Sequence, residues 1–189
     1  DDAFPETPLR PADPVGRARM RLWTKQLDEG LHAATGTVSA CIAFRHQHLD
    51  RRPEDLKAWL DNMVDPARRE RTKLAIDLGT ASPDFGRAVL RFEKLLDEME
   101  RTLAAGTWLA GETYSLADLA YAPYLVRLQH LGFGDRLAAR PRTAKWAERV
   151  LARSAFEEGI GRWLNAKYLA LFDAYRSSAR QEINRIARA

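Results

Sequence analysis

The chain has 189 residues, 46% of them apolar and 30% charged, which fits one domain with a substantial core and excludes a disordered chain. Its 30 basic and 26 acidic residues leave a formal charge of +4, but the two signs are interspersed and no dense basic run carries interleaved aromatics. This argues against nucleic acid as a partner, and the lack of any apolar run of membrane-spanning length argues against a membrane.

The opening stretch DDAFPETPLRPADP is proline-dense and reads as the end of one element running into an extended linker over 1–12. Asp13 followed by Pro14 marks a helix start, a capping acid before proline at the first helical position. From there Met20, Trp23, Leu27, Leu31, Ala34, Val38 and Ile42 recur at steps of three and four. The spacing predicts a single apolar face sustained for about seven turns. Cys41 lies within it. As the single cysteine it cannot form an intrachain disulfide, reads as a packing residue, and favours a reducing compartment such as the cytoplasm.

Pro53, Glu54 and Asp55 open a shorter helix through Trp59. A charged helix runs from Pro66 to Leu78, and GTASPDFG (79–86) reads as a loop. Val89, Phe92, Leu96, Met99 and Leu103 form the next apolar face, closed by Gly106. A helix follows from Ser115 to His130, another from Pro141 with Trp146 and Val150 inside, and a last one from Ala166 to Ala187. Ser154 and Glu157 form a second capping-box signature. With no convincing strand, the expected class is an all-α bundle centred on the first long helix and the 115–130 segment.

That segment, GETYSLADLAYAPYL (111–125), combines a strong helix start with an interior breaker. Ser115 is a good N-cap and Asp118 stands at its third helical position, a variant of the capping box, with Tyr114 and Leu119 in the staple positions. A cap contributes about 1 kcal/mol; an interior proline such as Pro123 costs ~3 kcal/mol unless the fold uses the kink. Burial of the neighbouring leucines is expected to cover the difference. Taken alone, the segment is a well-started core helix.

Its flanks sharpen it. WLAGETYSLADLAYAPYLVRL, preceded by LLDEMERTLAAGT and followed by RPRTAKWAERVLARSAF, resembles the C-terminal domain of cytosolic glutathione transferases. In that family a leucine-alanine-glycine turn leads into a buried, Ser/Thr-x-x-Asp-capped helix important for folding. DPARRERTK and SPDFGRAV look most like the bacterial β-aryl-etherase subgroup. The resemblance implies a glutathione-transferase C-terminal-like domain over 13–189, with residues 1–12 as the tail of a thioredoxin-like domain and the interdomain linker. It also implies glutathione as co-substrate, a hydrophobic or aromatic electrophile as substrate, and a homodimer when intact. The catalytic Ser, Tyr or Cys belongs to the thioredoxin-like domain, which these residues do not contain, so little conjugation is expected from this chain alone.

Lys25, Asp28, His32, Thr35 and Ser39 lie at helical steps beside the first apolar face. They read either as plain solvent-facing surface or as the wall of a cleft toward the other domain. The Leu31-His32 pair resembles a Leu-His pair of the bacterial beta class, where the histidine lies near the glutathione sulfur; Ala33 replaces the lysine that follows there. On the capped helix Ala120, Tyr124, Arg127 and Leu131 share a face. Tyr124 could stack on an aromatic electrophile and Arg127 could hold an anionic group, or the two could be core tyrosine and snorkelling arginine. His46 and His48 diverge on a helix and lack a third ligand, so no metal is expected. The rival reading of the whole is a non-catalytic interaction or dimerisation module of the same fold; a third is a helical bundle alike only in core patterning.

Overall fold

The computed structural model describes residues 1, 3 and 5–188, so residues 2 and 4 of the predicted linker lie outside it. The described residues are helical almost throughout, with no strand beyond an isolated bridge between Trp108 and Gly111. Five helices begin on proline, whose missing N–H is unneeded in a first turn: α1 (Pro14–Gln26), α3 (Pro53–Asp61), α4 (Pro66–Leu78), α5 (Pro83–Thr102) and α8 (Pro141–Leu151). Asp13 caps α1 by accepting from the Gly16 N–H at 2.7 Å. Asn165 caps the final long helix, α10 (Ala166–Ile186), by accepting from the Lys167 N–H. Between α1 and α3 runs α2 (His32–Ile42). Between α5 and α10 lie α6 (Leu116–His130), α7 (Gly134–Ala138) and α9 (Ser154–Gly159).

The core runs through the middle of this bundle. Val38, Phe85, Val89, Phe92, Leu131, Phe133, Trp146 and Ile183 are all inaccessible to solvent or nearly so. Helix α2 packs on α5, and α6 is in contact with α1, α2, α8 and α10. Three expectations need correction. The long first helix is two helices, broken over Leu27–Leu31, where Gly30 adopts φ 116°. The stretch 79–86 is not a loop throughout: a single turn covers Gly79–Ala81, and α5 already starts at Pro83. Ser154 caps nothing, since it is the first residue inside α9 and Arg153 holds the cap position without a side-chain bond.

Pro123 does lie inside α6. Its ring removes the N–H that the Leu119 carbonyl would accept. Leu119 and Pro123 are both exposed, so this carbonyl faces water. On the opposite side Tyr121, Leu125 and Leu128 are buried, each contributing about 1.5–3 kcal/mol, which outweighs the ~3 kcal/mol cost of the proline. Exposure of Leu119 also rules out its half of the predicted staple; Tyr114 instead packs edge-on to Trp108, with ring centroids 5.0 Å apart.

Candidate functional site

The break between α1 and α2 shapes the site. At φ 116° a side chain would be strained, and a Cβ on Gly30 would come within 3.1 Å of the Arg91 guanidinium carbon. Arg91 in turn donates to the Glu29 carbonyl, holding the break in place. Two residues on, His32 opens α2 on its exposed side. Its Nδ1 lies 3.0 Å from the Tyr124 hydroxyl on α6, with the rings edge-on and their centroids 6.2 Å apart. Burial, and secondarily the Asp28 carboxylate, push the Tyr124 phenol above its ordinary range. It therefore stays protonated at neutral pH and can donate to Nδ1 of His32; in the tautomer that accepts this bond the ring proton sits on Nε2, open to an incoming group.

Lys25 and Asp28 are exposed, and Lys25 pairs with Glu29 at 3.2 Å. Thr35 is half-buried and donates to the Leu31 carbonyl at 2.9 Å. Ser39 is only 4% exposed and donates to the Thr35 carbonyl at 2.7 Å. The polar line thus begins in solvent and ends inside the bundle.

Arg127 lies a turn beyond Tyr124, its guanidinium 4.4 Å above the Phe172 ring and 5.8 Å from Phe44. No carboxylate pairs with it among the described residues. Burial lowers its pKa from the usual arginine value, and the aromatic faces replace part of the lost hydration. His130 stacks on the other part of this cluster, 5.9 Å from Phe172. Arg127 is therefore a cation without a counter-ion, one turn from the His32–Tyr124 pair.

The start of α6, the helix that carries Tyr124 and Arg127, is fixed by its own network. The Asp118 carboxylate is fully buried. One oxygen accepts from the Leu109 N–H at 3.0 Å and the Trp146 Nε1–H at 2.8 Å. The other accepts from the Ser115 N–H at 3.0 Å and the Ser115 hydroxyl at 3.1 Å. Ser115 Oγ accepts from the Ala117 N–H, and both halves of the capping box are present. Asp118 thus ties the helix start to the turn before it, where Trp108 and Gly111 exchange backbone hydrogen bonds, and to α8. The Leu9 carbonyl accepts from the Leu116 N–H at 3.0 Å, so the linker is fastened to the same place.

Sequence reasoning named Ser115 and Asp118 but not Trp146 or Leu109 as their partners. Trp146 carried a signal only as an isolated aromatic in an apolar face. His46 and His48 do not converge. His46 stacks on Tyr175 at 3.4 Å between centroids and His48 on Trp59 at 4.2 Å. Cys41 is 2% exposed, and burial pushes its thiol up to about 12. A cleft of about 310 Å³ between α1, the end of α5 and the 105–111 turn contains none of the predicted site residues.

Known proteins give this arrangement a context. Residues 65–149 match the family described as glutathione S-transferase, C-terminal domain. The chain is 30% identical over 176 residues to Protein LigF of Sphingobium sp. (strain NBRC 103272 / SYK-6), covering 84% of this chain and 64% of that protein. It is 30% identical over 142 residues to a 2,5-dichlorohydroquinone reductive dechlorinase of Sphingobium indicum, covering 60% of this chain and 41% of the relative. The crystal structure of beta-etherase LigF from Sphingobium sp. strain SYK-6 superposes with a TM-score of 0.72 at 28% identity, over 85% of this chain and 69% of that one. The chain thus spans less than two thirds of the length of these two curated relatives. Its fold is the all-α fold of the glutathione-transferase C-terminal domain.

Proposed function

We propose that these residues form the electrophile-binding, all-helical half of a glutathione transferase acting on an aromatic electrophile, with cleavage of a β-aryl ether by glutathione as the reaction. The observation that carries this reading is the likeness to LigF, in sequence over 176 residues and in fold at a TM-score of 0.72. The relative named as a 2,5-dichlorohydroquinone reductive dechlorinase supports an aromatic substrate.

In this reading the thiolate of glutathione attacks the carbon bearing the aryloxy group. A C–S bond forms, the C–O bond breaks, and the phenolate leaves with the electron pair. Nε2–H of His32 donates to the developing anion, at the sulfur before attack or at the leaving oxygen after it. Tyr124 fixes the imidazole tautomer through the 3.0 Å contact and offers a ring face to the aromatic substrate. Arg127 attracts an anionic substituent, Thr35 lines the wall between the helices, and Ser39 supports it from beneath.

A glutathione thiol is a weak nucleophile at neutral pH until its pKa is lowered. We assign that task to a thioredoxin-like domain joined through residues 1–12 and resting on the exposed face of α6 around Leu119 and Pro123, with residues 13–189 as the helical domain. The setting is the cytoplasm, and the intact assembly is a homodimer. The test is to assay the 189-residue chain alone, and the same residues fused to a glutathione-binding thioredoxin-like domain, with a chromogenic β-aryl ether. The fusion should turn over and lose most of its kcat on His32→Ala, while the chain alone binds the ether without cleaving it. Turnover by the chain alone at the rate of the fusion would overturn the division of labour. Failure of the chain to bind the ether would overturn its role as the electrophile half.

A further inference from the structure

A second cleft lies on the opposite side of α2 from Thr35 and Ser39. It measures about 570 Å³ and is enclosed by α2, α4 and the start of α5, within the size range of small-molecule sites. Its floor is formed by small side chains, among them Ala33, Gly36 and Ala40. A Cβ added to Gly36 would meet nothing within 4 Å, so the space above the floor is open.

The walls are strongly cationic. Arg68 and Arg71 come from α4, Arg87 and Arg91 from α5, and the single carboxylate in the lining is Asp84, already paired with Arg87. Arg91 donates to a backbone carbonyl, so its charge is uncompensated. Arg71 is 4.0 Å from Asp65, the outer limit of an ion pair. Arg68 has no side-chain partner among the described residues. Four guanidinium groups around one cleft repel one another, an arrangement that a bound anion would relieve.

An independent feature points the same way. Ser82 lines the cleft, is 3% exposed, and its hydroxyl has no hydrogen-bond partner among the described residues. Although it occupies the cap position of α5, its side chain does not cap that helix. A buried hydroxyl left unpaired is costly and calls for a partner.

We propose that this cleft binds a compact tetrahedral oxyanion, the phosphate or sulfate group of a small molecule or the free ion. The guanidinium groups of Arg68, Arg71 and Arg87 supply forked donors matched to such oxygens. Ser82 donates a neutral hydrogen bond from the wall, and Gly36 leaves the floor low enough for close approach. The site is independent of the thiol chemistry assigned to the other face of α2.

The test is calorimetric titration of the chain with inorganic phosphate and with phenyl phosphate, at low and high sodium chloride. Saturable one-to-one binding that weakens with salt is expected. Tighter binding of phenyl phosphate would identify a monoester as the ligand, and equal binding the free ion; both support the site. Arg68→Ala should weaken binding about tenfold or more, as for loss of one charge-assisted hydrogen bond. Gly36→Leu should abolish binding by filling the floor, with a melting temperature at or above that of the parent because glycine is a poor helix former. Absence of saturable binding at millimolar phosphate, or affinity unchanged in both variants, would overturn the proposal.

Discussion

Replacing Asp118 by alanine should make this domain unfold far more readily. The carboxylate is fully buried and accepts four hydrogen bonds, from the Leu109 N–H, the Trp146 Nε1–H, and the Ser115 N–H and hydroxyl. The serine hydroxyl can rotate to another acceptor, but the three N–H groups cannot. Each buried donor left without a partner costs about 1–3 kcal/mol. The low end applies here, because water can enter the vacated space. Three such groups give a destabilisation of about 3 kcal/mol. For a chain of this length that corresponds to a fall in Tm of about 6–12 °C. Thermal unfolding followed by circular dichroism measures the fall. Asp118→Asn, which keeps the shape and one acceptor oxygen, should lie between alanine and the parent. At a temperature where both proteins are folded, affinity for an aryl ether should be unchanged. A Tm within about 3 °C of the parent, or lost affinity at unchanged Tm, would refute the reasoning and move Asp118 from scaffold to site.

Glu93 accepts from Arg136 at 2.9 and 2.5 Å and from Arg140 at 2.9 Å. Burial alone would raise its pKa, but the two guanidinium groups outweigh burial and hold it below the ordinary 4.5. A depressed carboxylate stabilises the fold above its unfolded pKa and loses that contribution as pH falls through the folded value. Glu93→Gln should therefore cost ~2 kcal/mol at neutral pH and progressively less below about pH 4.5, measured by urea unfolding; a pH-independent difference would contradict this. Cys41, its thiol pushed up to about 12 by burial, should resist iodoacetamide in the native protein and react once unfolded; mass spectrometry would expose the opposite result. Gly30→Ala should destabilise by about 1–2 kcal/mol from backbone strain alone. Gly36→Ala, at an ordinary helical position, should stabilise by up to ~1 kcal/mol. Equal effects of the two in denaturant titrations would show that the break after α1 imposes no strain.

The helices were legible wherever their starts are marked locally. Pro14, Pro53, Pro66 and Pro141 each follow the rule for a first helical turn, and the observed elements begin there. Pro83 obeys the same rule but was hidden between Gly79 and Gly86, which together suggest a loop. The break at Gly30 was invisible for a different reason. Leu27 and Leu31 are four apart on either side of it, so the apolar rhythm passes through undisturbed. Ser154 and Glu157 have the spacing of a capping box, but the Glu157 carboxylate lies over Gly161 and is not turned back on the helix start. The site divides similarly. Ser115 and Asp118 are three residues apart and their bond is encoded locally. His32 and Tyr124 were each singled out, yet their contact spans 92 positions and depends on how α1, α2 and α6 cross. The cationic cleft behind α2 left no sequence signature, because its arginines are divided between α4 and α5 and converge only in space.

The hydrogen bond from the Leu116 N–H to the Leu9 carbonyl also has a mechanical consequence. Tension applied to the chain ahead of Pro11 does not first peel α1 from the bundle. It is delivered at the first residue of α6, one position from Ser115 and within the same turn as Asp118. A pull on the N-terminal side therefore meets the most densely cross-connected point of the domain, and in a single-molecule stretching experiment the first rupture should be loss of the α6 cap, with Asp118→Ala lowering the force at which it occurs.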